Sequence, residues 1–575
     1  LFSISSITLA AEHYASPTGD DETGSGSITK PYKTIQHVLD SVVSSGDTII
    51  LRGGTYNENI EIAKPNITIR SMSNEWAVIQ SVLNDPEKEV AVSFDVSPEH
   101  SDRSRLENVE VVGGYWYGVK FETKWDWGGI DRSGASHITI QGCKIHDTGD
   151  ACIKITPGCD DITIRQCEIY NSGRNDPDSA EGIDNVNGDR MLVEQCHLHD
   201  ISATGLYAKG GAIGTRIERC LVEDCGAAGI LVGFDTSPEW FDVNVNPEYY
   251  ENIDGEVTNC IVVNTVYAGI GLYAAKNARV FNNSLVDVAK EGQSGLFFGI
   301  TFQDWNSEAN RPSCLNPIIR NNIVVESARA NSRVVEIRWD DELGGLSGLS
   351  GMPEMSNNRY YVENGTAVFE DERPGSEFSG GLGGWKSHIN GDRDSTEGDP
   401  AFIDPTLGDY HLLPTSACID DGTSNGAPRV DFDGISRPQG NNYDPGALEY
   451  HNLSFPIPDI QVNGSDAPTV IYAHKSFSTT LSLASEDHKG QEADWWVAAY
   501  TPSGWLSLIY EQGELIWIND LKRCIQAPLI SFASLEIPEP PISTGLNYIY
   551  FAVDDNADNK PDASWYDFVV VEKME

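Results

Sequence analysis

The sequence predicts an all-β protein built on a right-handed parallel β-helix, and three observations predict it. First, one short phrase keeps returning: Thr163-Ile164-Arg165-Gln166-Cys167-Glu168-Ile169-Tyr170-Asn171, then Leu192-Val193-Glu194-Gln195-Cys196-His197-Leu198-His199-Asp200, with further copies around Cys143, Cys220 and Cys260. Second, each copy is followed by a turn and another apolar phrase that opens on a small residue, as in Gly182-Ile183, Gly205-Leu206, Gly229-Ile230, Gly269-Ile270 and Gly295-Leu296. Third, the shorter repeats are about two dozen residues long, one rung of a solenoid and too short for a propeller blade. Equal positions of successive coils stack into rows. Cys143, Cys167, Cys196, Cys220 and Cys260 should therefore form one row at about 4.8 Å spacing, continued by Asn283 and Asn322.

The chain opens on Leu1 to Ala11, apolar and β-branched, which suits either the tail of an export signal or an ordered strand. Residues 1–13 are assigned to this exported segment. From Tyr14 the solenoid begins, and its domain is assigned to 14–454. Pro31 to Val43 carries apolar residues at helical spacing, an amphipathic cap for an open solenoid end. A strand, Gly46 to Leu51, follows and ends in the Gly53-Gly54 turn.

Three segments depart from the short repeat: Glu122 to Ser133, Phe234 to Gly255, and Phe302 to Asn316. Insertions leave a solenoid at its turns and commonly build the binding face. They carry Trp240, Trp305 and Arg311, and with Tyr273 on a neighbouring coil these are candidate substrate contacts. Past Glu326 the repeat loosens, and Asp399 to Tyr450 reads as a terminal coil covering the far end. Pro456 and Pro458 mark a linker. Strand runs broken by Gly, Pro and Asp then predict a small antiparallel β-sandwich over 455–575. Within it Asp554, Asn556, Asp558 and Asp562 space oxygen ligands as calcium wants them, or else form an acidic turn.

The 575 residues carry a formal net charge of −48, which excludes nucleic acid and anionic membrane as partners. No stretch approaches the roughly 20 apolar residues of a membrane span. The 11 cysteines include the five of the row, which read as buried thiols rather than disulfides. Secretion or display at the cell surface suits this composition, and an acidic polysaccharide becomes an acceptable substrate only where cations concentrate locally.

The candidate chemistry lies on adjoining rungs. Aligning Gly182 with Gly205 puts Glu181 and Asp184 beside Tyr207 and Lys209. Lys209 interrupts an apolar phrase, so it faces outward, and Gly210-Gly211 after it leave room for a ligand. Lys209 is the candidate general base, with Tyr207, Lys154 and Arg190 as substrate contacts. Glu181 and Asp184 either bind Ca2+, which would neutralise a uronate carboxylate, or pair directly with Lys209 and hold it protonated. His146-Asp147 and His199-Asp200 occupy equivalent turns, a repeated structural feature.

The opening Pro31-Tyr32-Lys33-Thr34-Ile35-Gln36 and Gly46-Asp47-Thr48-Ile49 resemble the start of secreted β-helix proteins, polysaccharide lyases among them. The Lys209-Gly210-Gly211 phrase above an acidic cluster resembles pectate lyase family 9 and, more distantly, the alginate and chondroitin lyases of family 6. That resemblance implies calcium-assisted β-elimination on a polyuronate. The Asp-Asp-Gly-x-Asp run of family 9 is missing, and the family 6 arginine falls near Gly233 and Phe234. Two function classes stay open: a lyase on a uronic-acid polysaccharide, or a non-catalytic carbohydrate-binding or self-assembling rod, with Leu1 to Ala10 adding to a neighbour's sheet.

Overall fold

The structure is a computed structural model. It describes residues 10–574 except 96–100, 124, 127–128, 131–132, 302–310, 328, 330–331, 342–344, 452–456, 465–468, 473–474, 485–490, 512, 531, 555–559 and 561–564. The chain divides into two compact units, one ending at Tyr450 and one beginning at His451.

The first unit is the right-handed parallel β-helix. Each coil contributes one strand to each of three sheets, and each sheet has 12 strands. In the coil around Cys167 these are Thr163–Arg165 in sheet A, Glu168–Tyr170 in sheet B and Ile183–Val186 in sheet C. Sheet A starts at Glu12–Ala15, paired in parallel with Thr48–Leu51, so the solenoid takes in Glu12 and His13. Of Leu1 to Ala10, the segment expected to add to a neighbour's sheet, all but Ala10 lie outside the described residues. Within the coils strict alternation holds: Ile164, Ile169 and Ile183 point inward at 0% exposure and are continued by equivalents above and below in a single core.

Sheets A and B meet at a two-residue bend, which explains the cysteine row. The first residue of the bend is left-handed in coil after coil: Gln166 (φ 54°), Gln195 (53°), Arg219 (54°), Asn259 (53°), Asn282 (54°) and Asn321 (56°). The second points inward. Cys167 donates its thiol to the Arg165 carbonyl at 3.2 Å, and Cys260 to that of Thr258 at 3.5 Å. Asn322 donates in the same way to Arg320 at 3.0 Å and Val280 at 2.9 Å. Asparagine also accepts: Asn283 Oδ1 takes the Cys260 N–H at 2.8 Å, and Asn322 Oδ1 takes that of Asn283 at 3.0 Å. The row runs on through Asn358. All cysteines are free thiols. Asn322→Ala orphans a buried N–H and a buried carbonyl, so it should cost about 2 kcal/mol. Asn322→Cys, which still donates, should cost less; calorimetric melting of the two variants checks the order.

Both ends of the helix are covered. At the start, Ile35–Ser41 is helical, Thr34 Oγ1 accepts the His37 N–H at 3.3 Å, and Ile35, Val38 and Leu39 are buried. At the far end the helix Leu382–His388 places Leu382 and Trp385 in the main core. The segment Asp399 to Tyr450, expected to cover that end, does something else. It runs as a strap along the outer face of sheet B. Phe402, Tyr410, Leu412, Cys418, Ala447 and Leu448 share a core with outward residues of that sheet, among them Ile261, Val286 and Ile323. The left-handed asparagines of the bend bind it: the amides of Asn259, Asn282, Asn321 and Asn357 donate to the carbonyls of Val430, Asp444, Thr423 and Asp421 at 2.7, 2.9, 2.8 and 3.0 Å.

The second unit consists of a three-stranded antiparallel sheet and a seven-stranded sheet that bury one shared core, Ile460, Leu481, Val497, Ile549, Phe551 and Val569 among it. One pairing is parallel, Thr469–Tyr472 against the last strand. The outer face of the larger sheet carries a strip of rings. Tyr500–Trp505, Trp505–Tyr550 and Tyr550–Phe568 lie 5.0, 5.7 and 5.6 Å apart, and Tyr500, Trp505 and Phe568 are exposed.

Candidate active site

Sheet C carries the cluster. Its register sets Lys154 beside Asp184, Asp184 beside Tyr207, and Val186 beside Lys209 on successive coils. Strand periodicity then sends Lys154, Asp184 and Tyr207 outward together, because Ile153, Ile183 and Leu206 before them fill the core.

Asp184 Oδ2 accepts from the Lys154 ammonium, both side chains being largely buried. Its other oxygen, Oδ1, is buried with no hydrogen-bond partner, and so is Oδ1 of Asp150. Glu181 is 6% exposed. Burial, reinforced by the Asp184 charge and opposed by Lys209 and Lys154, pushes its carboxyl up to about 8. Burial and the Asp184 charge likewise push Asp150 up to about 7. Tyr117 faces the same acids; burial, then Asp150, Asp184 and Glu181, raise its hydroxyl far above the usual range, so it stays an O–H donor. Two of these carboxyls are thus held near neutrality beside one that is ion-paired.

Lys209 is half-buried, with its ammonium 4.2 Å from the Tyr207 ring centroid and 5.5 Å from that of Phe234. Among the described residues it makes no ion pair. The two ring faces line one side of the ammonium, as in a cation–π contact. The turn that carries it is clamped from the Phe234–Gly255 insertion. Glu251, fully buried, accepts from the Gly210 N–H at 2.8 Å, the Thr236 hydroxyl at 2.7 Å and Arg311 Nε at 2.8 Å. Burial pushes Glu251 up to about 7, with Arg311 pulling the other way.

Several expectations need correction. Asp184 pairs with Lys154 and not with Lys209, so the expected direct Lys209 ion pair does not form, and a calcium ion at Glu181 and Asp184 would share Asp184 with the Lys154 ammonium. Arg311, expected to meet substrate, is buried under the insertion, its guanidinium 4.6 Å from the Phe241 ring. Tyr273 is buried at 6% and accepts from Gln293 Nε2 at 3.1 Å, so it offers no open ring face. Arg190 is held by Asp161 at 2.8 and 2.9 Å and by Asp160 at 3.2 Å. Gly210 and Gly211 adopt φ of 71° and 90°, and a Cβ on Gly211 would meet Asn246 at 3.1 Å and Phe241 at 3.2 Å. Their room is filled by the protein's own insertion.

Trp240 ends a short 3₁₀ turn in that insertion and is half-buried. Trp305 lies outside the described residues, as do Asn556, Asp558 and Asp562; Asp554 is buried at the end of its strand. Sequence reasoning missed Asp150 and Tyr117. Asp150-Ala151-Cys152-Ile153 aligns with Ala180-Glu181-Gly182-Ile183, and that alignment could have found the acid.

Residues 128–324 match the family profile described as "Right handed beta helix region". No curated protein sequence matches the chain. Among solved structures, the alginate lyase of Paenibacillus sp. str. FPU-7 is 16% identical, with 56% of this chain and 97% of that one covered at a TM-score of 0.39. The mannuronan C-5 epimerase AlgE4 A-module of Azotobacter vinelandii is 13% identical, covering 59% and 93% at 0.42. A rhamnogalacturonan lyase is 14% identical, covering 61% and 87% at 0.42. No helix among the described residues is long and apolar enough to cross a membrane.

Proposed function

We propose that this protein abstracts the C5 proton of a uronate residue in an acidic polysaccharide and cleaves the chain by β-elimination. The observation that carries the reading is the placement of Lys209, which has no ion-pair partner among the described residues, one coil above Glu181, a buried carboxyl pushed up to about 8. Lys209 receives the uronate carboxylate, which makes the C5 proton more acidic. Glu181, in its ionised form, takes that proton. The electron pair becomes the C4–C5 double bond as the C4–O bond breaks, and the leaving oxygen gains a proton, for which Tyr117 is a donor on the same face. This exchanges the role expected for Lys209 as base for that of an anion holder. A carboxyl poised near working pH is the better proton acceptor.

In the second unit, the strip Tyr500, Trp505, Tyr550 and Phe568 suits stacking on sugar rings. Trp505→Ala combined with Tyr550→Ala should weaken retention in a polysaccharide-containing gel by about tenfold. Turnover of short oligosaccharides should be unchanged, and equal retention would remove the strip from binding.

A second reading is glycoside hydrolysis. It draws on Asp150 and Glu181 being protonated near neutrality beside an ion-paired Asp184. A panel of polyuronates assayed for ultraviolet-absorbing unsaturated product tests the first reading. New reducing ends without absorbance would favour the second.

A further inference from the structure

We propose that the outer face of sheet B binds a divalent transition metal, Zn2+, Co2+ or Ni2+, through Glu168, His197 and His199. His197 and His199 stand two apart on the strand His197–His199 and so share its outward face. Parallel pairing sets Glu168 directly beside His197 on the coil below. One ligand atom from each of the three residues lies within 4.8 Å of the other two. His199 Nε2 stands 3.5 Å from Glu168 Oε1. Two ligands each about 2.0–2.1 Å from a tetrahedral metal are about 3.3 Å apart, so this edge needs almost no adjustment.

The residues around the triad fix the imidazoles as ligands. His199 Nδ1 bonds Asp200 at 2.8 Å, and His197 Nε2 bonds Glu223 at 2.8 Å. When each nitrogen donates its proton to that carboxylate, the other nitrogen of the ring keeps its lone pair. Metal-binding histidines are oriented in this way. Stacking holds the His199 ring as well: Tyr170 lies 4.8 Å below it, nearly parallel, and His146 lies 4.4 Å below Tyr170. Lys144 competes, pairing with Glu168 Oε2 at 2.6 Å. Two imidazoles and one carboxylate select a borderline ion over Ca2+, which wants oxygen alone. The site stays open because the strap covers sheet B only from about Leu221 onward, and the three side chains are 35%, 39% and 19% exposed.

The experiment titrates CoCl2 into the full chain in excess CaCl2, which saturates carboxylate-only sites on so acidic a surface. One equivalent of Co2+ should bind with a visible absorption band. His197→Ala and His199→Ala should each abolish the band, and Asp200→Asn should weaken binding about tenfold. Lys144→Ala frees Glu168 and should tighten binding, a gain that no misfolded variant would mimic. Co2+ uptake that is absent, or equal in wild type and both histidine variants, would overturn the proposal.

Discussion

Glu181→Gln should lower turnover of a cleaved polyuronate by about 10²- to 10⁴-fold while leaving the fold intact, because it removes the proton acceptor and keeps its shape. With the carboxyl pushed up to about 8, roughly a tenth of it is ionised at pH 7. Wild-type rate should therefore climb as pH rises toward 8. Stability should move the other way. The folded state keeps a proton on Glu181 that the unfolded chain releases near its ordinary value of 4.5. Between about 4.5 and 8 the native state binds more protons, so its stability falls as pH rises. Glu181→Gln should consequently melt higher than wild type at pH 8 and gain nothing at pH 4. A variant with full activity would remove Glu181 from the mechanism, whatever its melting point.

Arg311→Ala should destabilise the Phe234–Gly255 insertion by about 3–5 kcal/mol, since it strands the buried Glu251 charge. Glu251 holds the Gly210 turn, so Lys209 loses its fixed position and activity should fall with stability. Adding Glu251→Gln should recover part of the stability, because a neutral amide tolerates burial without a cation. Chemical denaturation of the single and double variants measures both effects. An additive double variant would mean that the two side chains act independently.

Much of the coil architecture was legible because a solenoid repeats its physics. The row Cys143 to Asn322 could be read because every coil needs an inward donor at the same bend. The strap was misread because its composition matches a terminal coil, although a signal was present. The outward positions of sheet B are polar at Lys144, Glu168 and His197, then apolar at Ile261, Val263, Ile323 and Val325, which flank the inward Val262 and Val324. A strand apolar on both faces is covered on both. The change from Gln195 to Asn259 at the bend falls where the strap amide bonds begin.

The site was legible only in part. Alignment on Gly182 and Gly205 reproduced the strand register and set Glu181, Asp184, Tyr207 and Lys209 on adjoining coils. Partners could not be read, since Lys154 one coil below competes with Lys209 for Asp184 at equal sequence plausibility. Arg311 was misplaced because burial of an arginine depends on Glu251, sixty residues away, and no local pattern announces that.

Proton abstraction at C5 is the central claim, and proton magnetic resonance of a polyuronate incubated with the protein in D2O tests it most directly. Cleaved chains should carry the vinyl signal of a C4–C5 double bond, and Glu181→Gln should abolish it. Cleaved chains that keep every C5 proton and show no vinyl signal would contradict the account.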